Sequence, residues 1–141
     1  MRRLRPAFSD CDVVWCTTHP AYRDELLAED AATSGKIRFY RVLEANRWQK
    51  VRMIGQIFGV VWVLLRVRPD VVVSTGSSPG FFAVLLGKMV FRARTVWVQS
   101  IADTEGMSMS GSLAGRYADL WLTQWEHLAR PEGPEYHGAI V

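Results

Sequence analysis

The sequence has 141 residues, a net charge of +3, 49% hydrophobic residues and 22% charged residues. This is the balance of an ordinary globular protein, which excludes an intrinsically disordered chain. The length fits one domain, so we expect a single domain over residues 1–141, and a charge this mild gives no reason to expect a nucleic-acid partner.

The first third of the chain predicts two strands and a long helix. The predicted elements are a short buried strand over residues 12–18, a helix from Tyr22 to Asp30, a strand over residues 37–42 and a helix from an N-cap at Asn46 through Arg68. Basic residues 1–6 precede no apolar segment, so they are not a secretory signal. Cys11 and Cys16 match no metal motif or disulfide framework, and a reducing cytoplasm is the default compartment.

The longest apolar stretch, residues 54–65, lies inside the long predicted helix and contains Gln56. A membrane-spanning helix needs roughly 20 apolar residues, so this stretch is either a buried core helix or a helix lying on a membrane surface. Basic residues surround it and could meet anionic lipid headgroups. The predicted membrane-docking residues are Arg47, Lys50, Arg52, Arg66 and Arg68.

The rest of the chain alternates strands with helices. Val71-Val72-Val73 is typical of a parallel strand buried on both faces, and Ser77-Ser78-Pro79-Gly80 supplies a cap and an early proline for the next helix. The elements that follow are a helix over residues 81–91, a strand over 95–99, a helix over 110–118, a strand over 119–123, a short helix over 125–129 and a last strand over 136–141. This order predicts an α/β, Rossmann-like parallel sheet with helices on both faces.

Ligands bind open parallel sheets at the carboxyl ends of the strands. One loop there is rich in small residues, and its backbone N–H groups at a helix start could hold a phosphate or pyrophosphate. The predicted phosphate-binding residues are Thr75, Gly76, Ser77, Ser78 and Gly80. The loop is neither a Walker A nor a GxGxxG motif, and a tight turn that needs glycine for steric reasons is the alternative.

A second loop follows the strand over residues 95–99 and has little periodicity. Its candidate cleft residues are Gln99, Ser100, Asp103, Glu105 and Ser108. The loop is either a substrate-side segment or a solvated connection. His19 at a strand end is a weak candidate base or a polar loop residue, and Gln99 is the other weak catalytic candidate. No Ser/His/Asp set or metal-ligand spacing is present, so we expect no metal and no cofactor.

The second half of the chain also resembles a known family. The matching residues are Arg68-Pro69-Asp70-Val71-Val72-Val73-Ser74-Thr75-Gly76, Trp97-Val98-Gln99-Ser100-Ile101-Ala102, Ser108-Met109-Ser110-Gly111, Ala118-Asp119-Leu120, Gln124-Trp125 and Tyr136-His137-Gly138-Ala139. They resemble the membrane-associated subunit of the split, dolichol-linked UDP-GlcNAc transferase (the asparagine-linked-glycosylation-fourteen-like family). That subunit is similar to the N-terminal half of the peptidoglycan lipid-linked GlcNAc transferase.

The resemblance implies the N-terminal, acceptor-side half of a GT-B glycosyltransferase that is divided between two chains. A separate subunit would bind the UDP-sugar, while this chain would bind a polyprenyl-pyrophosphate-linked glycan and dock on the inner face of the cell membrane. Residues 76–80 would face the acceptor pyrophosphate, and Gln99 and Ser100 would lie near the cleft. The bacterial exopolysaccharide and lipopolysaccharide members imply GlcNAc or glucuronosyl transfer in surface-polysaccharide synthesis.

The sequence departs from this family at three points. It begins after the family's first strand and Gly-Gly-His loop, so either its start is truncated or its catalytic share is reduced, and we expect an exposed sheet edge. Gln99 stands where many relatives carry an acidic residue, and an amide can orient a hydroxyl but cannot act as a general base. Asp103 stands where several relatives carry arginine.

Two functions fit these observations. The chain is either a transferase subunit that is inactive without its donor-binding partner, or a non-catalytic scaffold that recruits this partner to the membrane. A generic nucleotide-binding domain is the weaker third alternative, because the glycine fingerprint is missing.

Overall fold

The computed structural model describes residues 2–19, 21–22, 38–45 and 48–139. Within these ranges the strands are β1 (Val14–Thr17), β2 (Arg38–Arg41), β3 (Val71–Ser74), β4 (Arg94–Val98), β5 (Leu120–Thr123) and β6 (Glu135–Tyr136). The α-helices with bounds in these ranges are α1 (Lys50–Val67), α2 (Ser78–Met89) and α3 (Met109–Ala114). Two 3-10 helices span Arg2–Phe8 and Glu126–Leu128. Beyond Tyr22, the helix predicted up to Asp30 lies outside the described residues, as do Asn46 and Arg47.

The strands form two parallel sheets. β1 pairs with β2, and the other sheet has the order β3-β4-β5-β6. In the larger sheet Val72 lies opposite Thr95, and Trp97 lies opposite Trp121. Parallel neighbours require crossover connections, and α2 and α3 supply them between β3, β4 and β5. The carboxyl ends of β3 and β4 are therefore adjacent, and the loops that follow them meet at one edge of the sheet.

One apolar core joins the larger sheet to its helices. Trp97 of β4 and Val84 of α2 are completely buried, since both side chains point from their elements into the same cluster. Val42, directly after β2, belongs to this cluster and ties the smaller sheet to it. The buried members are Val42, Val60, Val63, Leu64, Val72, Val84, Ala93, Trp97 and Ala114.

Helix α1 buries one face and exposes the other. Its buried residues are Gln56, Val60, Val63 and Leu64. The opposite face carries five apolar side chains that are each more than half exposed, and we call them the apolar stripe: Val51, Ile54, Phe58, Trp62 and Leu65. Their spacing of three or four residues puts them along one side of the helix. The stretch over residues 54–65 is therefore core on one side and surface on the other.

The described helices do not include one that is long and apolar enough to span a membrane. Helix α1 ends where the sequence predicted, because Arg68 takes a left-handed conformation (φ 48°) and its N–H donates to the carbonyl of Leu64 at 2.8 Å. Pro69 follows directly and cannot extend the hydrogen-bond ladder.

Several predicted boundaries differ from the structure. Helix α1 begins at Lys50 after Gln49, and α3 ends at Ala114, four residues early. Val71 is 50% exposed, so the prediction of a strand buried on both faces is wrong there, because β3 is an edge strand among the described residues. The predicted last strand is reduced to Glu135–Tyr136 within the described chain.

Candidate functional site

The two loops that the sequence singled out touch each other. The glycine loop (residues 75–80) follows β3, and the cleft loop (residues 99–108) follows β4, its neighbour in the sheet. A Cβ placed on Gly76 would lie 3.4 Å from the Cβ of Ser100, which is van der Waals contact. The carboxyl edge of the sheet therefore brings both predicted segments into one site.

Two positive φ angles and one close contact with β3 shape the glycine loop. Gly76 has a φ of 82°, and Ser77 has a φ of 69°, a region that residues with a Cβ seldom adopt. Gly80 lies against β3, since a Cβ there would come within 2.0 Å of Ser74 Oγ. Both interpretations of the loop are therefore compatible with its geometry: glycine is needed for steric reasons, and the backbone at the start of α2 is left accessible.

The side chains of the glycine loop point in different directions. Residues 77–80 were predicted to supply a helix cap, but Ser77, the residue before α2, is exposed and makes no capping side-chain hydrogen bond. Ser78 turns inward, and its Oγ lies 3.0 Å from Ala45 O and 3.0 Å from Gln56 Oε1. Thr75 is half-buried and Gly76 is buried. Ser77 and the backbone of the first turn of α2 are thus the parts of this loop that a ligand could reach.

Gln56 fastens the glycine loop to the rest of the fold. Its side chain is completely buried, and its Nε2 donates to Leu43 O at 2.8 Å while its Oε1 lies beside Ser78. This one amide therefore links the segment after β2, helix α1 and the first turn of α2. In the sequence, Gln56 stands out only as an interruption of an apolar stretch, yet a lone amide in such a stretch signals a buried polar contact.

Gln99 holds the cleft loop in a folded shape. It is completely buried, its Oε1 accepts from Trp97 Nε1 at 3.0 Å, and its Nε2 donates to Ser108 Oγ at 3.1 Å and to Asp103. Both amide hydrogens and the carbonyl oxygen are in use. Gly111 is packed so closely that a Cβ there would lie 2.2 Å from Gln99 Oε1. The geometry assigns Gln99 a structural role, while its catalytic role stays a prediction.

Further bonds tie down the remainder of the cleft loop, so it is an ordered segment. Ser108 caps α3 by accepting from Gly111 N at 3.2 Å, and Ser100 Oγ accepts from Ala102 N at 3.2 Å. A ring nitrogen of His127 lies 2.8 Å from Thr104 O. Glu105 is exposed. The outer surface of this region also exposes the apolar side chains of Ile101, Met109 and Leu113.

The described contacts of His19 are local. Its backbone N–H donates to Thr17 Oγ1 at 3.2 Å, and its exposed ring meets Tyr22 edge-on at 6.4 Å between centroids. A group of three or more metal-ligating side chains is not found in the part of the chain that the structure describes. The structure thus joins the glycine and cleft loops but shows no contact that would bring His19 to them.

The predicted docking residues border the apolar stripe. Lys50 and Arg52 lie in the first turn of α1, and Arg66 and Arg68 lie at its other end; all four are exposed. Arg47 lies outside the described residues. Helix α1 therefore combines an exposed apolar stripe with basic residues near both of its ends.

The carboxylate of Asp119 bonds to residues of two other elements, a role that the sequence pattern did not indicate. The ammonium group of Lys88 bonds its carboxylate, Thr95 N donates to Oδ2 at 2.8 Å, and Thr95 Oγ1 lies 3.0 Å from the same oxygen. These bonds, that of Lys88 first, hold the pKa of Asp119 below its ordinary value. Together these bonds connect α2, β4 and the start of β5 at the end of the sheet away from the two loops.

Comparison with known proteins adds a family to this geometry. Residues 30–140 match the profile of a family described as "Oligosaccharide biosynthesis protein Alg14 like". The chain is 32% identical over 167 aligned residues to the UDP-N-acetylglucosamine transferase subunit ALG14 of Eremothecium gossypii, an alignment that covers 100% of this chain and 74% of that protein. It is 30% identical over 97 residues to the alg14 subunit of Schizosaccharomyces pombe, which covers 63% of this chain and 44% of the relative.

A solved structure shows the same fold. MurG of Acinetobacter baumannii superposes with a TM-score of 0.67 at 13% sequence identity, over 98% of this chain and 39% of the MurG chain. The match confirms the predicted fold class, a Rossmann-like α/β half of a GT-B structure. At this identity the likeness concerns the fold alone.

Proposed function

Because the chain belongs to the Alg14-like family of oligosaccharide biosynthesis proteins, we propose that it is the acceptor-binding and membrane-docking subunit of a two-component UDP-sugar glycosyltransferase. Both fungal relatives are named as subunits of a UDP-N-acetylglucosamine transferase, which supports GlcNAc as the sugar and a second subunit as the partner. By this proposal the donor half comes from that partner.

The observation that carries this proposal is the apolar stripe of α1. An 18-residue helix is about 27 Å long, and this one exposes a continuous apolar line beside basic residues at both ends. A helix with an apolar face and Lys or Arg at its borders lies in the membrane interface with that face among the acyl chains. Lys50, Arg52, Arg66 and Arg68 would each add about 1 kcal/mol of attraction to an anionic surface.

The glycine loop lies close to the membrane-facing helix. The bonds of Ser78 to Gln56 and to Ala45 join the first turn of α2 to the first half of α1. A pyrophosphate at the headgroup level could therefore reach the backbone N–H groups at the start of α2 while its polyprenyl chain stays in the bilayer. The helix dipole and these donors favour the doubly charged group.

The proposed reaction takes place between the two subunits. A hydroxyl of the lipid-linked glycan attacks the anomeric carbon of the UDP-sugar, the bond to the UDP oxygen breaks, and the hydroxyl proton passes to a general base. The partner's helix termini and backbone donors stabilise the charge that develops on the leaving UDP. This chain supplies the acceptor geometry through residues 75–80 and Ser100.

A non-catalytic scaffold is the second candidate function. The hydrogen bonding of Gln99 favours it, because the amide is fully engaged and Asp103 is bound to it. Under this alternative the chain holds the donor-binding partner at the membrane and contributes surface only. The two candidates differ in whether the glycine loop contacts the acceptor.

Ser77→Asp separates the two functions, since it adds a negative charge to the exposed part of the glycine loop. In the complex with the donor-binding partner, acceptor binding predicts a rise of about tenfold in KM for the pyrophosphate-linked acceptor, with vesicle binding unchanged. Ser112→Asp is the matched control on exposed α3. An unchanged KM for Ser77→Asp would favour the scaffold.

Docking is tested by vesicle flotation. We expect Phe58→Ser with Trp62→Ser to abolish flotation. Both side chains are more than half exposed, so losing the edge-on contact of Trp62 with Tyr40 should lower the stability without unfolding the chain. Leu113→Ser, an exposed apolar residue on α3, should float like the wild-type chain. Robust turnover of UDP-sugar by the isolated chain, or flotation that survives the loss of both aromatic rings, would refute the proposal.

Three finer points are also proposals. They are the cytoplasmic inner face of the cell membrane as the location, a surface polysaccharide as the product, and glucuronosyl transfer in place of GlcNAc. The two relatives are fungal, so these points rest on the sequence resemblance alone. Turnover of the complex with UDP-GlcNAc and with UDP-glucuronic acid decides the sugar.

A further inference from the structure

We infer that the chain has a second anion-binding site, a cleft that takes the phosphate headgroup of an anionic phospholipid. The cleft has a volume of about 400 Å³ and lies where α1 and α2 end and β3 and β4 begin. Its lining includes Leu65, Arg68, Asp70, Val90, Arg92 and Ala93. It is at the opposite end of the sheet from the glycine and cleft loops, so it is distinct from the acceptor site.

Two helix ends place two guanidinium groups at this cleft. Arg68 caps α1 with a φ of 48°, and Arg92 lies in the turn after α2 with a φ of 55°. Glycine is the residue that helix ends in this conformation most often use, because a Cβ is strained there. Arginine stands at both positions although it adds strain. A cation near a helix carboxyl end gains from the dipole, but that gain is available from any nearby position.

The side chains of the lining carry a net positive charge. Arg68 and Arg92 share the lining with one carboxylate, that of Asp70, so its titratable side chains sum to one positive charge. The carboxyl ends of α1 and α2 add partial negative charge here, so a phosphate would have to bind the two guanidinium groups directly. Guanidinium groups bind phosphate oxygens through paired hydrogen bonds, which makes arginine the usual residue at such sites. The described residues provide no second carboxylate in the lining.

The cleft also continues the membrane-facing surface, which is why a lipid is the expected occupant. Leu65, the last member of the apolar stripe, is one of its walls, and exposed Val90 is another. Exposed Met89 adjoins Val90. A headgroup in the cleft would therefore leave its acyl chains beside apolar side chains. This inference rests on the proposed membrane docking and adds to it a defined headgroup position.

The test uses a short-chain lipid as a monomer, so that bilayer attraction plays no part. Dihexanoylphosphatidylglycerol, below its micelle concentration, is titrated into the isotope-labelled full chain and followed by amide NMR. We expect saturable shifts at Arg68, Asp70, Arg92 and Ala93, and none with dihexanoylphosphatidylcholine. Arg68→Gly with Arg92→Gly removes both guanidinium groups and relieves the left-handed backbone, so the variant should fold and bind at least about tenfold more weakly.

Two controls test the position of the site and the kind of anion that it binds. Lys50→Gln with Arg52→Gln removes the same charge from the other end of α1 and should keep the affinity within about twofold. The inference is wrong if both double variants lose lipid affinity equally, or if no amide shifts are seen near Arg92. Inorganic phosphate that binds as tightly as the lipid also overturns it, because the site would then hold a small anion. Vesicle flotation of the Phe58→Ser, Trp62→Ser variant reports on docking separately, so either idea can fail while the other stands.

Discussion

The side chain of Gln99 links Trp97, Asp103 and Ser108, and its replacement should destabilise the fold. Gln99→Met keeps the approximate volume but removes the amide. Trp97 Nε1 then has no acceptor, and Trp97 is completely buried. An unsatisfied buried donor costs about 1–3 kcal/mol. The lost bonds to Ser108 and Asp103 add about 1 kcal/mol, because these half-buried partners can recover water. We expect a total loss of about 2–4 kcal/mol in the free energy of unfolding.

The assay is urea unfolding followed by tryptophan fluorescence. With a slope of about 2 kcal/mol per molar urea, the midpoint should fall by about 1–2 M at an unchanged slope. Glu105→Gln, an exposed substitution in the same loop, should stay within about 0.5 kcal/mol of the wild-type chain. If Gln99→Met unfolds at the wild-type midpoint and instead lowers kcat of the two-subunit enzyme, the structural role argued for Gln99 is wrong.

Two further predictions test the packing and the electrostatics of the sheet. Gly80→Ala should cost about 1–3 kcal/mol, because its Cβ would press on Ser74 Oγ, and the added change Ser74→Ala should recover part of this loss in urea unfolding. Asp119 has a lowered pKa in the folded chain, so its bonds to Lys88 and Thr95 stabilise the fold above the ordinary carboxyl pKa and lose this effect as the pH falls through the lowered value. The difference in midpoint between the wild-type chain and Asp119→Asn should therefore shrink below about pH 4, and a difference that grows on acidification would contradict the assignment.

Much of the site could be predicted from the sequence because strand order and loop composition are local properties. β-branched residues over 71–73 and the small residues after them indicated both a parallel strand and a tight turn into a helix. The rule that ligands bind at the carboxyl ends of parallel strands then selected the loops after β3 and β4, which contact each other through Gly76 and Ser100. Which side chains face the ligand was beyond this reasoning. Ser77 points outward and Ser78 inward because Ala45 and Gln56 lie on one side of the turn.

Local sequence patterns were enough to predict the fold class, the chain order of strands and helices and the end of α1 beside Arg68, because periodicity, β-branching and proline act within a few residues. Which face of α1 is covered depends on packing between distant segments. Apolar residues surround that helix, so its sequence fits both a core and a surface position, and the packing of Val60, Val63 and Leu64 into the core leaves Phe58 and Trp62 outside. The same holds for Gln99. The bonds that an amide makes depend on which segments the fold brings to it, and Trp97, Asp103 and Ser108 meet it only once the loop has closed on the sheet.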